Sequence, residues 1–323
     1  MSADKAPRVL ALSGGIGGAK LALGLDHMLP AGDLAVLCNT GDDFEHLGLH
    51  ISPDIDTVMY TLAGIANPET GWGRAQETWT FMDTLESIGG ESWFRLGDRD
   101  LAVHVERTRR LNEGESLSSI TADIAKHLGV QTTLLPMSDR PVRTLVDTDE
   151  GILPFQRYFV ERRCAPRVKG FTFDGAERAK PPPMLEHILD SDRLEAVVIC
   201  PSNPFISVDP ILAVPGMREV LRASRAPVVA VSPIIGGRAV KGPTAKMMTE
   251  LGLPSSSASI AEHYRGLLDG LALDEADAGD VAVVDLPCLT TKTLMITDKD
   301  KRRLATAVLE FAGDLAKDKS GRS

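Results

Sequence analysis

The chain has 323 residues, 43% of them apolar and 25% charged, with a formal net charge of -10. That length allows a full core, as one large α/β domain or as a core with a smaller lobe. The acidic balance excludes broad nucleic-acid binding, though not one nucleotide in a local basic pocket, and no apolar run approaches the roughly 20 residues of a membrane span.

In chain order, the N-terminal apolar run is too short for a secretory signal, so the expectation is a cytoplasmic protein without membrane contact. RVLAL at 8–12 predicts a short buried strand, and 19–28 has helical spacing. Between them lies a glycine turn, SGGIGGAK, holding Gly14, Gly15, Gly17 and Gly18. Strand, glycine turn and helix open a doubly wound sheet, and such a turn accepts phosphate. The same glycines also suit close strand–helix packing. Neither the dinucleotide fingerprint GxGxxG nor the P-loop GxxxxGK[ST] is present, which argues against a nicotinamide oxidoreductase. Lys20 stands just beyond the turn, placed to neutralise a phosphate.

LAVLC at 34–38 predicts a second strand, which delivers the chain to an acidic stretch, NTGDDFEHLGLHISPDIDT. Asp42, Asp43, Asp54 and Asp56 crowd a loop that Pro53 keeps from being one helix. Clustered carboxylates need solvent, a basic partner or a divalent cation. Beside a phosphate cradle, the cluster suggests a metal-assisted phosphate site. Asp54 and Asp56 also suit a helix start, as caps. Cys38, Cys164, Cys200 and Cys288 form no CxxC pair, and Cys38 and Cys200 follow apolar runs, as buried free thiols do.

Further on, 71–73 (GWG) is a tight aromatic turn, and Trp72 and Trp79 are two of three tryptophans. An aromatic in such a turn either stacks on a planar ligand or packs on its own helix. A helix is predicted at 77–85. In FRLGDRD, Arg95 and Arg99 either hold a phosphate or join an internal Arg–Asp network. His104 lies one helical turn past Asp100, within reach of an orienting contact. Helices are predicted at 101–111 and 117–128.

From 132 the character changes. TTLLP, VRTLVD, FQRYFVERR and VKGFTF are β-favouring runs suggesting an antiparallel patch or small lobe. After KPPPM, a helix at 185–190 and a strand at 196–199 resume the βα alternation. Two more strands end in small polar residues, at Ser202 and Asn203 and at Ser232, Pro233, Gly236 and Gly237. They suit a nucleotide pocket, and individually they are also good turn residues. KGPTAKMMTELG then starts a helix, with Lys241 and Lys246 nearby. Runs at 281–284 and 293–296 predict final strands, and 300–316 a closing helix with a frayed tail. The predicted fold is α/β: a Rossmann-like, doubly wound, mostly parallel sheet with a smaller α+β insertion lobe. Residues 1–130 form the N-terminal half, 131–180 a β-rich insertion, and 181–323 the half that completes the core.

The segments SGGIGGAK, NTGDD, SPDIDTVMYTLAG, GWG, LGDRDLAVH, LPMSD, PSNPFISVDPIL and SPIIGGRAVKGP together resemble the 2-phospho-L-lactate transferase family (CofD, called FbiA in mycobacteria) of deazaflavin coenzyme F-420 biosynthesis. The resemblance spans about 9–253 and continues weakly to the last helix. It implies a magnesium-dependent phosphotransferase with a guanosine-diphosphate-linked carboxylic acid as donor. The acceptor it implies is the ribityl hydroxyl of the deazaflavin precursor Fo, with GMP released. It also implies Asp56 at the metal and the acceptor hydroxyl, with a general-base role. Asp42 or Asp43 would complete the metal site, Asp54 would join the catalytic group, and Arg95 would stand near the acceptor. Gly14, Gly15, Gly17, Gly18, Ser202 and Asn203 would hold the donor nucleotide. Replacing Asp56 by alanine would then abolish transfer and leave the fold intact. GGIGGAK and CNTGDDFE are closer to the bacterial than to the archaeal pattern, which keeps lactate, enolpyruvate and glycerate all open as the acid. A homodimer is the family-level expectation. The competing class is a non-catalytic nucleotide-binding regulatory protein of the same fold.

Overall fold

Continuous apolar runs build the centre of the sheet. Strands β1 (Val9–Ser13), β2 (Leu34–Cys38), β9 (Ala196–Ile199), β10 (Val228–Val231) and β13 (Gly270–Asp274) are buried along their whole length, as in parallel sheets covered on both faces. The computed structural model describes residues 6–240 and 242–320, so Lys241 and the tail at 321–323 lie outside the described residues.

The remaining elements, in chain order, fall around these strands. Helix α1 (Gly15–Met28) follows β1, and the hairpin β3 (Phe44–His46) and β4 (Leu49–Ile51) follows β2. Next come α2 (Pro53–Leu62), α3 (Thr80–Ser87), α4 (Asp98–Asn112), α5 (Leu117–His127) and β5 (Thr133–Pro136). Strands β6 (Arg143–Thr148), β7 (Gly151–Pro154) and β8 (Val168–Asp174) precede α6 (Pro183–Leu189). Helices α7 (Asp209–Leu212) and α8 (Met217–Arg222) separate β9 from β10. Hairpin β11 (Ile234–Ile235) and β12 (Arg238–Ala239), α9 (Thr244–Glu250) and α10 (Ser257–His263) lead to β13. Strand β14 (Cys288–Thr291) and α11 (Asp298–Ser320) close the chain.

The seven-stranded sheet has the order β14-β13-β10-β9-β1-β2-β5, with all neighbouring pairs parallel. Period-two alternation divides it between two cores. Val9 and Ala11 pack with Leu21 and Leu25 of α1, Val58 of α2 and Leu304 of α11. Leu10 and Leu12 face the other way, into a core shared with Val146, Tyr158 and Ile211. Each such fully buried aliphatic side chain contributes about 1.5–3 kcal/mol. From β1 the chain runs outward through β2 to β5, then returns to the other flank at β9. The strand order therefore reverses between β1 and β9, where open α/β sheets form a ligand crevice at the strands' carboxyl ends. Cys38 and Cys200 are buried free thiols, as expected. Among the described residues, no helix is long and apolar enough to cross a membrane.

Several elements depart from the sequence expectation. TTLLP is no part of an antiparallel patch: β5 pairs parallel with β2 as the edge of the central sheet. FQRYFVERR is helical, with a wide turn closed by Arg162 N–H on Arg157 O at 2.9 Å. Strands β7, β6 and β8 form a separate three-stranded antiparallel sheet. The run at 281–284 is not a strand, and neither is 293–296. Val283 is 74% and Ile296 73% exposed, so these apolar residues lie on the surface rather than in a sheet. Strand β13 is absent from the expectations, because GLALD is bounded by glycine and aspartate and carries one alanine among its apolar residues. The acidic stretch contains a two-residue hairpin turn, with Leu47 at φ 54° and Gly48 at φ 71°, the backbone that a twisted hairpin favours.

Candidate active site

A cavity of about 790 Å³ opens at the carboxyl edge of the sheet. Residues after β1 (Gly14), β2 (Asp42), β9 (Pro201, Ser202) and β10 (Ser232) all line it, so the strand-order reversal places it. One part of its wall is glycine, hydroxyl and carboxylate. Another is aromatic: Trp72, Trp93, Phe94, Phe155 and Phe159. The guanidinium of Arg157 lies 4.1 Å from the Trp93 ring centre, and Phe155 stacks on Phe159 at 5.3 Å.

At the glycine part, the structure begins α1 at Gly15 rather than near residue 19. Gly15 has φ +65°, a backbone that disfavours any side chain. Its N–H donates to Asp54 Oδ1 at 2.6 Å, and the Ser202 hydroxyl donates to Gly14 O at 2.8 Å. This end of a 14-residue helix carries the positive end of its dipole. A Cβ on Gly17 would collide with the Pro201 carbonyl oxygen, which is backbone and cannot swing aside. Gly17→Ala is therefore expected to cost about 1–3 kcal/mol, read as a lowered thermal midpoint. An unchanged midpoint would show the crossing of α1 and the β9 loop to be loose.

The acidic stretch separates into three environments. Asp42 and Asp54 share one amide nitrogen: Asn39 Nδ2 donates to Asp42 Oδ1 at 3.3 Å and to Asp54 Oδ2 at 2.9 Å. Both are buried and line the cavity, and among the described residues neither is paired with a cationic side chain. Burial, then the charges of Asp54 and Asp43, holds the Asp42 carboxyl well above the usual carboxylate range. Burial likewise pushes Asp54 up to about 6, against hydrogen bonds from Asn39 and Gly15. Two carboxylates sharing one amide, with no ion-pair partner among the described residues, are a hard-oxygen donor set that fits magnesium, with water and substrate oxygens completing its shell.

Asp43 turns elsewhere. Its Oδ2 accepts from Ser52 Oγ at 2.8 Å and pairs with His50 Nε2 at 3.1 Å, and it lines a separate cavity of about 320 Å³. Asp56 is held by Arg107, whose Nη1 donates to Oδ2 at 3.1 Å and whose Nη2 donates to Oδ1. The split within PDID follows from helix geometry: residues two apart on α2 are about 200° apart around the axis. Asp54 therefore faces α1 and Asp56 faces α4. The structure does not bring Asp42, Asp43 and Asp56 together as one ligand set.

The raised Asp54 carboxyl has a consequence for stability. The folded chain holds this proton to about pH 6, against an ordinary value of 3.8, so the folded state binds more protons between those values. The group's stabilising contribution is full below the ordinary value and is lost as pH rises through the folded value. Metal-free protein should thus lose thermal stability, relative to an Asp54→Asn variant, from about pH 4 to about pH 6. A difference that does not change with pH would contradict the assignment.

The other expected residues divide in the same way. Lys20 lines the cavity, with its Nζ on Met295 O at 2.9 Å. Arg95 lines it too, paired with Asp83 at 2.5 Å and resting over Trp79. Arg99 is used in a turn network, with Nη1 3.5 Å from Gln76 Oε1. Asn203 lines the cavity, and its side chain caps Phe205 N–H at 2.9 Å. Gly18 is packed against Ser13 and Ser202 within α1. Gly236 and Gly237 are not brought to the cavity: their N–H groups donate to the Asp277 carboxylate at 2.8 and 3.0 Å. Trp72 lines it and is 51% exposed.

The sequence reading passed over Asn39, Trp93 and Arg107. For Arg107 a signal was present: Asp100, His104 and Arg107 follow the i, i+4, i+7 spacing of one helix face.

The sequence profile described as "2-phospho-L-lactate transferase CofD" matches residues 9–306. The chain is 42% identical to a phosphoenolpyruvate transferase of Streptomyces griseus over 318 residues, covering 95% of this chain and 99% of that one. It is also 42% identical to a 2-phospho-L-lactate transferase of Methanopyrus kandleri, covering 95% and 98%. Among solved structures, a UPF0052-family protein of Bacillus halodurans superposes with a TM-score of 0.62 at 16% identity, covering 94% of this chain and 99% of that one. At that identity the likeness shows the fold alone.

Proposed function

This chain belongs to the 2-phospho-L-lactate transferase family, CofD, and on that premise we propose a concrete reaction for it. The chain moves a phospho-carboxylic-acid group from a guanosine-diphosphate-linked donor to the ribityl hydroxyl of Fo, releasing GMP, in coenzyme F-420 biosynthesis. The observation that carries this reading is the one cavity with two chemically different walls. Its helix N-terminus, Ser202 and carboxylates suit a diphosphate with its cation, and its aromatic wall suits a planar tricyclic ring.

Phosphoryl-type transfer needs positioning and charge neutralisation more than a covalent group. In this reading, the start of α1 and the loop after β9 hold the donor's phosphates, and Lys20 and Arg95 offset their charge. Asp42 and Asp54 hold magnesium, which when bound neutralises charge on the transferring group and its leaving oxygen. Asp56 is assigned to Arg107 rather than to the metal or to base catalysis, because a buried guanidinium already balances its charge, whereas the hydrogen bonds to Asp54 come from neutral N–H groups. The finer reading of a magnesium-dependent homodimer rests on the family resemblance, and the cytoplasmic placement on the short N-terminal apolar run.

The phosphoenolpyruvate and 2-phospho-L-lactate relatives are equally identical to this chain, so overall identity does not select the acid. The test is turnover of purified protein with Fo, magnesium and, in parallel, the guanosine donors made from lactate, enolpyruvate and glycerate. Mass spectrometry should find one phosphodiester product with equimolar GMP. No product from any donor, with GDP still bound, would overturn the transferase reading in favour of a nucleotide-binding protein.

A further inference from the structure

The inward face of α4 presents a hydrogen-bonding pair that the reading above leaves unused. Arg107 Nη1 lies 3.4 Å from His104 Nδ1. A guanidinium only donates, so Nδ1 accepts, and the neutral imidazole carries its proton on Nε2. His104 is 1% exposed and lines the cavity, yet among the described residues its Nε2 has no hydrogen-bond partner of good geometry. The nearest acceptor, Asp100 Oδ2, is 3.5 Å away, at the limit of a hydrogen bond. Asp100 also lines the cavity, and its other oxygen, Oδ1, takes the Tyr60 hydroxyl at 2.5 Å. The N–H and the carboxylate oxygen thus face each other across a contact too long to satisfy either well.

With Asp56, these side chains could also hold a metal ion, since the three offer ligand atoms within 4.8 Å of one another. The buried Arg107 guanidinium on Asp56 opposes a second cation there. A group that both donates and accepts satisfies the pair better, and an alcohol is such a group.

We propose that His104 and Asp100 seat the attacking hydroxyl of the acceptor, His104 Nε2–H donating to its oxygen and Asp100 Oδ2 accepting its proton. This rests on the transferase reading. In the step, the hydroxyl oxygen forms a bond to the acid-linked phosphorus, and the bond from that phosphorus to the oxygen bridging to GMP breaks. GMP leaves with the electron pair, and the hydroxyl proton passes to Asp100 Oδ2. Arg107 is then a positioning residue that fixes the imidazole tautomer.

The test compares binding of Fo, followed by its fluorescence, with that of an analogue lacking the terminal ribityl hydroxyl. Wild type should favour Fo about tenfold, the worth of one good hydrogen bond, and His104→Leu should bind the two alike. With an active donor, kcat should fall about a hundredfold or more in His104→Leu and Asp100→Asn, with GDP affinity unchanged. His104→Gln, which keeps an N–H near the Nε2 position, should recover part of both. If His104→Leu does not fold, His104→Gln and Asp100→Asn carry the comparison. Variants that keep both the preference for the hydroxyl and the wild-type kcat would overturn the assignment. Wild-type protein that forms no product would instead overturn the transferase reading itself.

Discussion

Asp54→Asn should lower turnover about a thousandfold, the order seen when one preorganised charge-stabilising group is removed, and leave the fold standing. The side chain is buried between α1 and β2, and its acceptor role toward Gly15 N–H survives in the amide oxygen. What the variant loses is one of two adjacent carboxylates with no cationic partner among the described residues. In the metal-free protein burial raises both carboxyls, with the charges of Asp54 and Asp43 adding to it at Asp42 and that of Asp43 at Asp54. The variant should therefore unfold at the same temperature as metal-free wild type or higher above about pH 6, while its thermal midpoint no longer rises with added magnesium. Turnover by GMP release and a magnesium titration of the midpoint check both halves. Near-wild-type turnover, or an undiminished magnesium shift, would contradict the cation assignment.

Arg107→Met should have the opposite signature, a loss of about 3–5 kcal/mol in stability, the usual cost of stranding one charge of a buried pair. Arg107 is among the largest fully buried side chains and grips Asp56 with both terminal nitrogens. Without it, Asp56 is left ionised and buried, or must take up a proton. Asp56→Ala is equally unfavourable, leaving the guanidinium uncompensated. The pairing therefore predicts a cost to the fold from this substitution, in place of the intact fold expected from the resemblance. Combining Arg107→Met with Asp56→Asn should recover a large part of the stability, as replacing both partners of a buried pair is far milder than removing one. Chemical denaturation of the two single variants and the double variant measures this. Simple additivity of the losses would show that the pair does not couple.

The strands most legible in the sequence were those with unbroken aliphatic runs, such as RVLAL and LAVLC, since only a sheet covered on both faces accepts them. Strand β5 was visible as a strand but not as part of the central sheet, because its partner is set by a crossover through α2 to α5 that no local pattern encodes. At the site, the glycine turn and the acidic stretch pointed to the sheet edge where the large cavity opens. The division of labour among the aspartates was not legible from their clustering. Asp54 and Asp56 lie two residues apart, and only the helix beginning at Pro53 sends them to opposite sides. Arg107 was hidden by a sound prior, since arginine is seldom fully buried unless paired, and its partner lies 51 residues earlier in the chain. Gly236 and Gly237 looked suited to phosphate, but Asp277, from a segment 40 residues later, takes their N–H groups.

The most direct test of the account is the position of the cation. Crystals grown with GDP and manganese(II) in place of magnesium would show it by anomalous scattering. The account predicts a peak against the carboxylates of Asp42 and Asp54. A peak instead against Asp56, Asp100 and His104, or at Asp43, would contradict it.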